Sequence, residues 1–275
     1  GTGTISINIA DAPIDGAVAA VVQFSGIALK RFGADESVFR FDPPLRIDLL
    51  GLDPGESVPL LAATSVPAGP YESMRLLVDA SRATLDSHVT LPGGAQRALY
   101  LPSGAEAGLR IARGFSVPPG DRGAQFTIDF DLRRSVGAPA SVLEPYPMAP
   151  TLRLVDNATA GAIEGSVGAG TLANASCPFP FNPALNVNLV YVFEGSNVAP
   201  DDIDRAGVEP VTTARLELDA FGAWTYRAAF LPAGRYTVAF SCQGANEDPN
   251  RNDNLVFLGT RNVVVNAAQA AREDF

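Results

Sequence analysis

The chain has 275 residues, of which 47% are apolar and only 18% charged, and this composition excludes disorder over most of the length. It contains 26 glycines and 22 prolines, which favours short elements joined by turns over long helices. The net charge of −10 disfavours nonspecific attraction to nucleic acid, because the phosphates would be repelled.

Short strand patterns run through the first half of the chain. Ile5, Ile7 and Ile9 alternate with polar residues, and this period of two predicts a half-buried strand. Further strand candidates, separated by segments rich in Gly and Pro, lie at residues 18–29, 45–50, 71–78, 98–101 and 125–132. The rhythm is typical of an all-β fold. No apolar run approaches the ~20 residues that a membrane-spanning helix needs, so no transmembrane segment is expected.

A small polar segment at residues 158–161 divides the sequence. Seven strand candidates follow within about 110 residues, which suits a sandwich of immunoglobulin-like size. They lie at residues 161–167, 187–193, 214–219, 223–230, 234–242, 254–259 and 261–266. We therefore predict an all-β protein of two β-sandwich domains in series, covering residues 1–157 and 158–275.

One turn motif occurs in both predicted domains. ValProAlaGlyProTyr at residues 66–71 and LeuProAlaGlyArgTyr at residues 231–236 each lead from a Pro and Gly turn into a strand. We expect Tyr71 and Tyr236 to enter these strands with their rings on the core. The motif indicates a shared turn rather than a shared activity.

Both predicted domains carry motifs of known families. The first has AspAlaPro at 11–13, AlaGlyProTyr at 68–71, AspPheAspLeuArgArgSerVal at 129–136 and ThrLeuArgLeuVal at 151–155. This set resembles a bacterial family known as domain of unknown function 4382, common in secreted proteins and lipoproteins. AspAlaPheGlyAlaTrpThrTyr at 219–226 and LeuProAlaGlyArgTyrThrVal at 231–238 resemble transthyretin-like or carboxypeptidase-regulatory-like sandwiches. The resemblances imply an extracellular or cell-surface location without enzymatic activity, and the first family has no catalytic residues to carry over.

The two cysteines, Cys177 and Cys242, both lie in the second predicted domain. Without CxxC spacing they favour one disulfide, and hence an oxidising compartment, over two buried free thiols. The chain starts at Gly1 without a basic and apolar leader, so either no export signal existed or it has been removed. We expect an exported protein, located outside the cell or on its outer surface, whose signal or lipid anchor is absent from this sequence.

Catalytic signatures are weak. His88 is the only histidine and no GxSxG motif accompanies it, which disfavours a serine triad. One histidine with two distant cysteines also cannot supply a conventional zinc site. Asp129 and Asp131 share one face of a strand and could act as the paired carboxylates of a glycosidase. The favoured alternative is a solvated face, where Arg134 or Arg153 pairs with them.

A polar loop follows Cys242 in the sequence. Asp248, Asn250, Asn252 and Asp253 offer oxygen ligands at a spacing that suits calcium, although the loop departs from an EF-hand. A solvated loop, in which Asn and Asp side chains stabilise turns, is the favoured alternative. Calcium is therefore the one candidate cofactor.

An aromatic pair offers a second binding candidate. Trp224 and Tyr226 share a strand face and could stack on a sugar. They share that face with Ala228 and Phe230, a continuous apolar row that favours core packing.

Terminal strands are the candidate interaction surfaces. The strand with Ile5, Ile7 and Ile9 carries no charge, and residues 261–266 carry few, so either could pair with another subunit unless its own sheet encloses it. We predict a non-catalytic structural or interaction protein, a subunit of an extracellular filament or surface assembly held by strand pairing. Its partner would be a second copy or another surface protein. The alternative is a carbohydrate-binding module for polysaccharide, assisted by calcium.

Overall fold

The computed structural model describes residues 1–12, 14, 16–104, 108–177 and 188–275. Strands make up nearly all of the regular structure in these residues, and they stack as sheets around apolar cores. This confirms the predicted all-β sandwich fold.

The first twelve strands form two sheets. They are β1 (Thr2–Ala12), β2 (Ala19–Arg31), β3 (Glu36–Asp48), β4 (Val58–Pro67), β5 (Gly69–Val78), β6 (His88–Thr90), β7 (Gln96–Tyr100), β8 (Leu109–Ile111), β9 (Phe115–Val117), β10 (Gly120–Asp131), β11 (Tyr146–Pro147) and β12 (Thr151–Asp156). One sheet has the order β12-β10-β1-β4. The other has the order β11-β7-β6-β2-β5-β8, with β3 paired to β2 and β9 paired to β5. A short helix, α1 (Leu132–Ser135), follows β10.

The remaining eight strands form two further sheets. They are β13 (Ala160–Ser166), β14 (Leu189–Glu194), β15 (Thr212–Arg215), β16 (Glu217–Leu218), β17 (Trp224–Pro232), β18 (Gly234–Ser241), β19 (Leu258–Val265) and β20 (Ala270–Arg272). The third sheet has the order β16-β17-β13-β20, and the fourth has the order β15-β14-β18-β19. The described residues also include helix α2 (Ala169–Leu172) and a 3-10 helix (Gly244–Asn246). The predicted boundary after residue 157 lies between β12 and β13, and no sheet of the described strands crosses it.

Strand β1 lies inside its own sheet. It pairs with β10 in parallel and with β4 antiparallel, so both of its edges are bonded. Ile5, Ile7 and Ile9 are fully buried in the first core. The prediction that these three residues form a self-association strand is therefore wrong, because the uncharged apolar row packs against the chain's own second sheet.

The two Pro and Gly turns place their tyrosines as predicted. Tyr71 and Tyr236 are buried, and each hydroxyl donates to the carbonyl oxygen four residues earlier, at Pro67 (2.8 Å) and Pro232 (2.7 Å). The bond fixes the turn to the strand that it starts, while the ring fills the core. Both rings therefore act in packing, which confirms the interpretation as a shared turn.

Cys177 and Cys242 form a disulfide, with a Cα–Cα distance of 5.2 Å. It joins the segment after α2 to the residue after β18. Cys242 is buried in the core between the third and fourth sheets, and Cys177 is partly buried against it.

A buried ion pair joins the two pairs of sheets. Arg133 of α1 contacts Glu247 at 3.0 Å between Nη1 and Oε2, and their side chains are 4% and 0% exposed. The carboxylate of Glu247 also accepts from the Tyr191 hydroxyl at 2.8 Å and from the Ile203 amide at 2.8 Å. Burial raises the pKa of Glu247, while Arg133 and the two other donors oppose that rise. The pair is thus completed by hydrogen bonds from the second sandwich.

Three more arginines cross the same junction, and one of them, Arg205, donates to the carbonyl oxygen of Arg134 at 3.3 Å. Arg215 of β15 donates to the carbonyl oxygens of Leu50 (3.2 Å) and Leu52 (3.1 Å). Arg134 donates in the opposite direction to the carbonyl oxygen of Pro210, at 3.2 Å. The junction is therefore held largely by guanidinium groups, each bonded to the other sandwich.

The strand face with Asp129 and Asp131 is buried rather than solvated, which corrects the prediction. Asp129 forms the expected ion pair with Arg153, at 2.5 Å, and lines a space of only about 30 Å³ against β15 and β17. That space is far too small for a sugar. Asp131 caps α1 by accepting from the Arg134 amide at 3.0 Å, and its other oxygen is buried without a hydrogen bond. Burial raises the pKa of Asp131 to about 6, while the Arg134 amide and charge oppose the rise.

Ile7→Ala should test the enclosure of β1. Because Ile7 is fully buried, we expect the variant to lower the free energy of unfolding by about 2–5 kcal/mol, measured by urea denaturation. Ser6→Ala, on the opposite face of β1, is the matched control and should change it by less than about 1 kcal/mol. An Ile7→Ala protein of unchanged stability would contradict the burial of this strand.

Asp131→Asn should reveal the titration of the buried carboxyl. The folded pKa of Asp131, about 6, lies above the ordinary value of 3.8, so its contribution favours folding at low pH and is lost as the pH rises through about 6. The neutral amide avoids this loss. We expect the stability of the variant relative to the native chain to rise by about 3 kcal/mol between pH 3.5 and pH 7, measured by urea denaturation.

The matched control is Asp121→Asn, an exposed aspartate in the same strand β10. Its stability should follow the native pH profile. Parallel profiles for Asp131→Asn and the native chain would show that Asp131 titrates as an ordinary carboxyl.

Candidate functional site

A cleft of about 620 Å³ opens along the junction. Arg133 and Glu247 lie at its base, where their ion pair fixes the two walls relative to each other. The first sandwich supplies Tyr146 and the segment 136–139, and the second supplies residues 245–249 together with further residues up to 255. Pockets between domains are a preferred place for ligands, so the cleft is the first candidate site.

The candidate calcium loop forms one wall of this cleft. Asp248 accepts from the backbone amide of Asn250 at 3.0 Å, and from its side chain at 3.2 Å. Asp253 accepts from the Asp248 amide at 2.6 Å and forms an ion pair with Arg251 at 2.8 Å. These carboxylate oxygens stabilise turns, as in the solvated-loop alternative.

Asn252 connects the loop to two acidic residues, Asp202 and Asp204, of the segment before β15. Its amide group donates to Asp204 at 3.1 Å and is 3.4 Å from Asp202. Asp202 is buried, which raises its pKa, and it also accepts from the Asp253 amide. Within the described ranges, no group of three or more His, Cys, Asp or Glu residues is arranged to hold a metal ion. Calcium binding stays a prediction.

The remaining sequence candidates lie in packed surroundings. His88 is buried, with Nδ1 2.9 Å from the Leu85 carbonyl oxygen and Nε2 3.1 Å from the Gln96 amide nitrogen. Tyr226 is buried, and Trp224 is half-buried against the second core. This confirms core packing for Trp224 and Tyr226. Phe230 lies outside this core and lines the small space beside Asp129, while Leu231 is buried in the core.

The second candidate site is the edge formed by β19, which contains most of the predicted pairing segment 261–266. β19 pairs with β18 on one side, and the described residues contain no strand on its other side. Val263 and Val265 are buried, whereas Val264 is 56% exposed. Arg261 is the only charged residue of the strand, which contains no proline.

The outward amides of this edge follow from strand geometry. In β18, the Arg235 carbonyl oxygen accepts from Gly195 on the β14 side. Backbone groups alternate sides along a strand, so the neighbours of Arg235 in sequence point toward β19. The register then directs the backbone groups of Thr260, Asn262 and Val264 away from the fourth sheet. These are the groups that an added strand would bond.

Other long edges are protected. β3 contains Pro43 and Pro44 as well as several charged residues, and β4 contains Pro59. In β12, the Leu154 carbonyl oxygen accepts from the Arg113 guanidinium at 3.1 Å, and β15 lies against the first sandwich. β8, β11, β16 and β20 have three residues or fewer. Among the described strands, β19 is therefore the long edge without proline. Its Thr260 carbonyl oxygen accepts from the Arg261 guanidinium at 3.1 Å, and because Arg261 is an exposed side chain of the same strand, it can release this oxygen to an added strand.

The described part of the chain contains no helix with the length and apolar character to cross a membrane.

No curated protein matches the chain. Among solved structures, the Bacillus anthracis TIE protein is 8% identical with a TM-score of 0.22; the match covers 100% of this chain but only 34% of that protein. A minor pilin of Streptococcus agalactiae is 9% identical with a TM-score of 0.21, and the match covers 98% of this chain and 94% of the pilin. At these TM-scores neither likeness bears on function.

One family matches by sequence. Its model covers residues 2–146, more than half of the chain, and includes the motifs at 11–13, 68–71 and 129–136. The motif at 151–155 lies beyond the match. The chain therefore belongs to the family described as Domain of unknown function (DUF4382).

Proposed function

We propose that this chain is a non-catalytic structural or interaction protein, outside the cell or on its surface, that binds a partner by strand addition at β19. The observation that carries the proposal is the unprotected edge of β19, an eight-residue strand with a single charge. The disulfide supports an oxidising location. β19 contains most of residues 261–266, the second of the two terminal segments that the sequence offers for strand pairing.

Strand addition has a direct energetic basis here. Each new backbone hydrogen bond contributes about 0.5–1.5 kcal/mol net, and burial of exposed apolar surface, such as Val264, adds about 25 cal/mol per Å². Neither contribution depends on ion pairs. An assembly held in this way should resist salt.

The edge is also preorganised. Val263 and Val265 of β19 pack into the core between the third and fourth sheets, while Leu189, Tyr191 and Phe193 of β14 pack on the outer face of the fourth sheet. Because Val263 and Val265 are buried in this core and β19 pairs with β18 along its length, β19 is held in an extended conformation before any partner arrives. Binding then orders only the incoming strand, which lowers its entropic cost.

A second candidate function is saccharide binding in the junction cleft. Tyr146 offers a half-buried ring, and the opposite wall offers Asn246, Asn254 and the guanidinium of Arg251. A volume of about 620 Å³ lies within the usual range for ligand pockets. The adjoining loop with Asp248 and Asp253 is the calcium candidate, which supports the calcium-assisted form of this alternative.

A labelled peptide with the sequence of residues 258–266 should bind the free edge of β19. Val264→Pro removes an outward amide but leaves the bonds to β18 in place, so we expect at least about a tenfold loss of peptide affinity, measured by fluorescence anisotropy. Val264→Thr keeps both the amide and the β-branched shape, and should bind like the native chain. Equal binding by all three proteins, or no binding by any, would contradict strand addition at β19.

Calcium should raise the melting temperature if the loop at 248–253 binds it, because a ligand of the folded state stabilises that state by mass action. We expect a rise of several degrees between EDTA and millimolar calcium, measured by circular dichroism. Asp248→Asn should abolish the rise, and Asp121→Asn should preserve it. No shift across the calcium range would leave the loop as a structural turn.

A further inference from the structure

We infer that the strand added at β19 is the β19 strand of a second copy of this chain, antiparallel to the first and related to it by a two-fold axis at Asn262. This inference rests on the proposed function and names its partner. It begins from a geometric requirement: in an antiparallel ladder, the residues that bond across the new interface must face one another. On β19 those residues are Thr260, Asn262 and Val264.

Two considerations set the position of the axis: the charge of Arg261 and the number of residues that pair in the new ladder. An axis at Arg261 would place the two guanidinium groups directly opposite each other, and opposed like charges destabilise a strand pair. An axis at Val263 would leave only residues 261–265 of each strand in the ladder. An axis at Asn262 keeps residues 259–265 of both strands and places each Arg261 opposite a valine.

The side chains suit this register. Thr260 of one copy lies opposite Val264 of the other, a pair of β-branched residues that packs well across strands. Asn262 meets its own copy at the axis, where two neutral amides introduce no repulsion. The side-chain oxygen Oδ1 of Asn262 already accepts from the backbone amide of Asn197 at 2.7 Å. Its side-chain nitrogen Nδ2 donates to Oδ1 of Asn197, also at 2.7 Å. These bonds hold the centre of the edge in place.

The chain's overall charge sets the salt dependence. Each copy carries −10, so two copies repel one another over the range of a Debye length. Because the proposed contact itself uses backbone bonds and apolar burial, added salt screens the repulsion without weakening the contact. Dimerisation should therefore strengthen between about 20 mM and 300 mM salt, the opposite of an interface held by ion pairs.

The symmetry also limits the size of the assembly. A two-fold contact uses the same edge of both copies and is complete at two chains. It joins the two fourth sheets into one continuous sheet across the axis. β19 alone therefore makes a dimer, and a filament would need a second contact elsewhere on the chain.

Sedimentation velocity of the full chain tests the inference. We expect the native chain and Val264→Thr to dimerise, and Val264→Pro to raise the dimer Kd at least about tenfold. Val264→Lys is a second disrupting variant, because a lysine on an edge opposes pairing without constraining the backbone. Circular dichroism melting of each variant establishes that it is folded.

Spin labels test whether the two β19 edges lie side by side. A label on Arg261→Cys should lie within about 20 Å of the label on the second copy, because the two positions are diagonal neighbours in the proposed ladder. A label on Phe221→Cys, on the fully exposed turn between β16 and β17, should lie much farther from its own copy. Distant labels at position 261, or a dimer that survives both Val264→Pro and Val264→Lys, would overturn the inference.

The same experiments separate the two proposals. A chain that stays monomeric but still binds the 258–266 peptide would overturn the second-copy inference and leave strand addition intact. A chain that neither dimerises nor binds the peptide would overturn both.

Discussion

The ion pair between Arg133 and Glu247 is the constraint on which the arrangement of the two sandwiches depends. Both side chains are almost completely removed from solvent, and a desolvated charge without partners costs several kcal/mol. The Tyr191 hydroxyl and the Ile203 amide complete the shell around Glu247. Removing either partner of the pair would leave the other charge buried and uncompensated. The cleft exists because this pair holds its two walls at a fixed separation.

The junction is polar where a sandwich core is apolar. Arg215 and Arg134 bond to carbonyl oxygens of the opposite sandwich, and such bonds require defined directions as well as proximity. They therefore specify one relative orientation more sharply than an apolar contact of equal size would. Asp131 caps the short helix that carries Arg133 and Arg134, and burial raises its pKa to about 6.

Sequence periodicity predicted which residues are buried better than it predicted what covers them. The alternation at Ile5, Ile7 and Ile9 identified an apolar row, but alternation is local and cannot distinguish a core within the chain from an interface with another chain. Asp129 and Asp131 were assigned to solvent for the same reason, since the covering sheets lie far along the sequence.

Strand prediction failed where an apolar run forms a loop that packs on the outer face of the fourth sheet. Residues 254–257 were predicted as part of a strand, yet they form a loop, and β19 begins only at Leu258. Phe257 of this loop packs edge-on against Tyr191 at a ring distance of 5.2 Å. The family motifs and the two tyrosine turns were predictable because each depends on a contiguous segment. Residues 261–266 are a candidate pairing segment in the sequence, but whether their strand has a free edge depends on sheet order, as the junction cleft does, and neither was predictable.

The order of the fourth sheet relates these two candidate sites. Its strands run β15-β14-β18-β19, so β15 and β19 are its opposite edges. Arg215 of β15 bonds to the first sandwich, which covers that edge and leaves β19 on the side away from the junction. A strand added at β19 would therefore extend the sheet without approaching the Arg133–Glu247 pair. The cleft is lined by residues outside the four strands of this sheet, so a strand added at β19 and a ligand in the cleft would use separate surfaces, and neither would exclude the other.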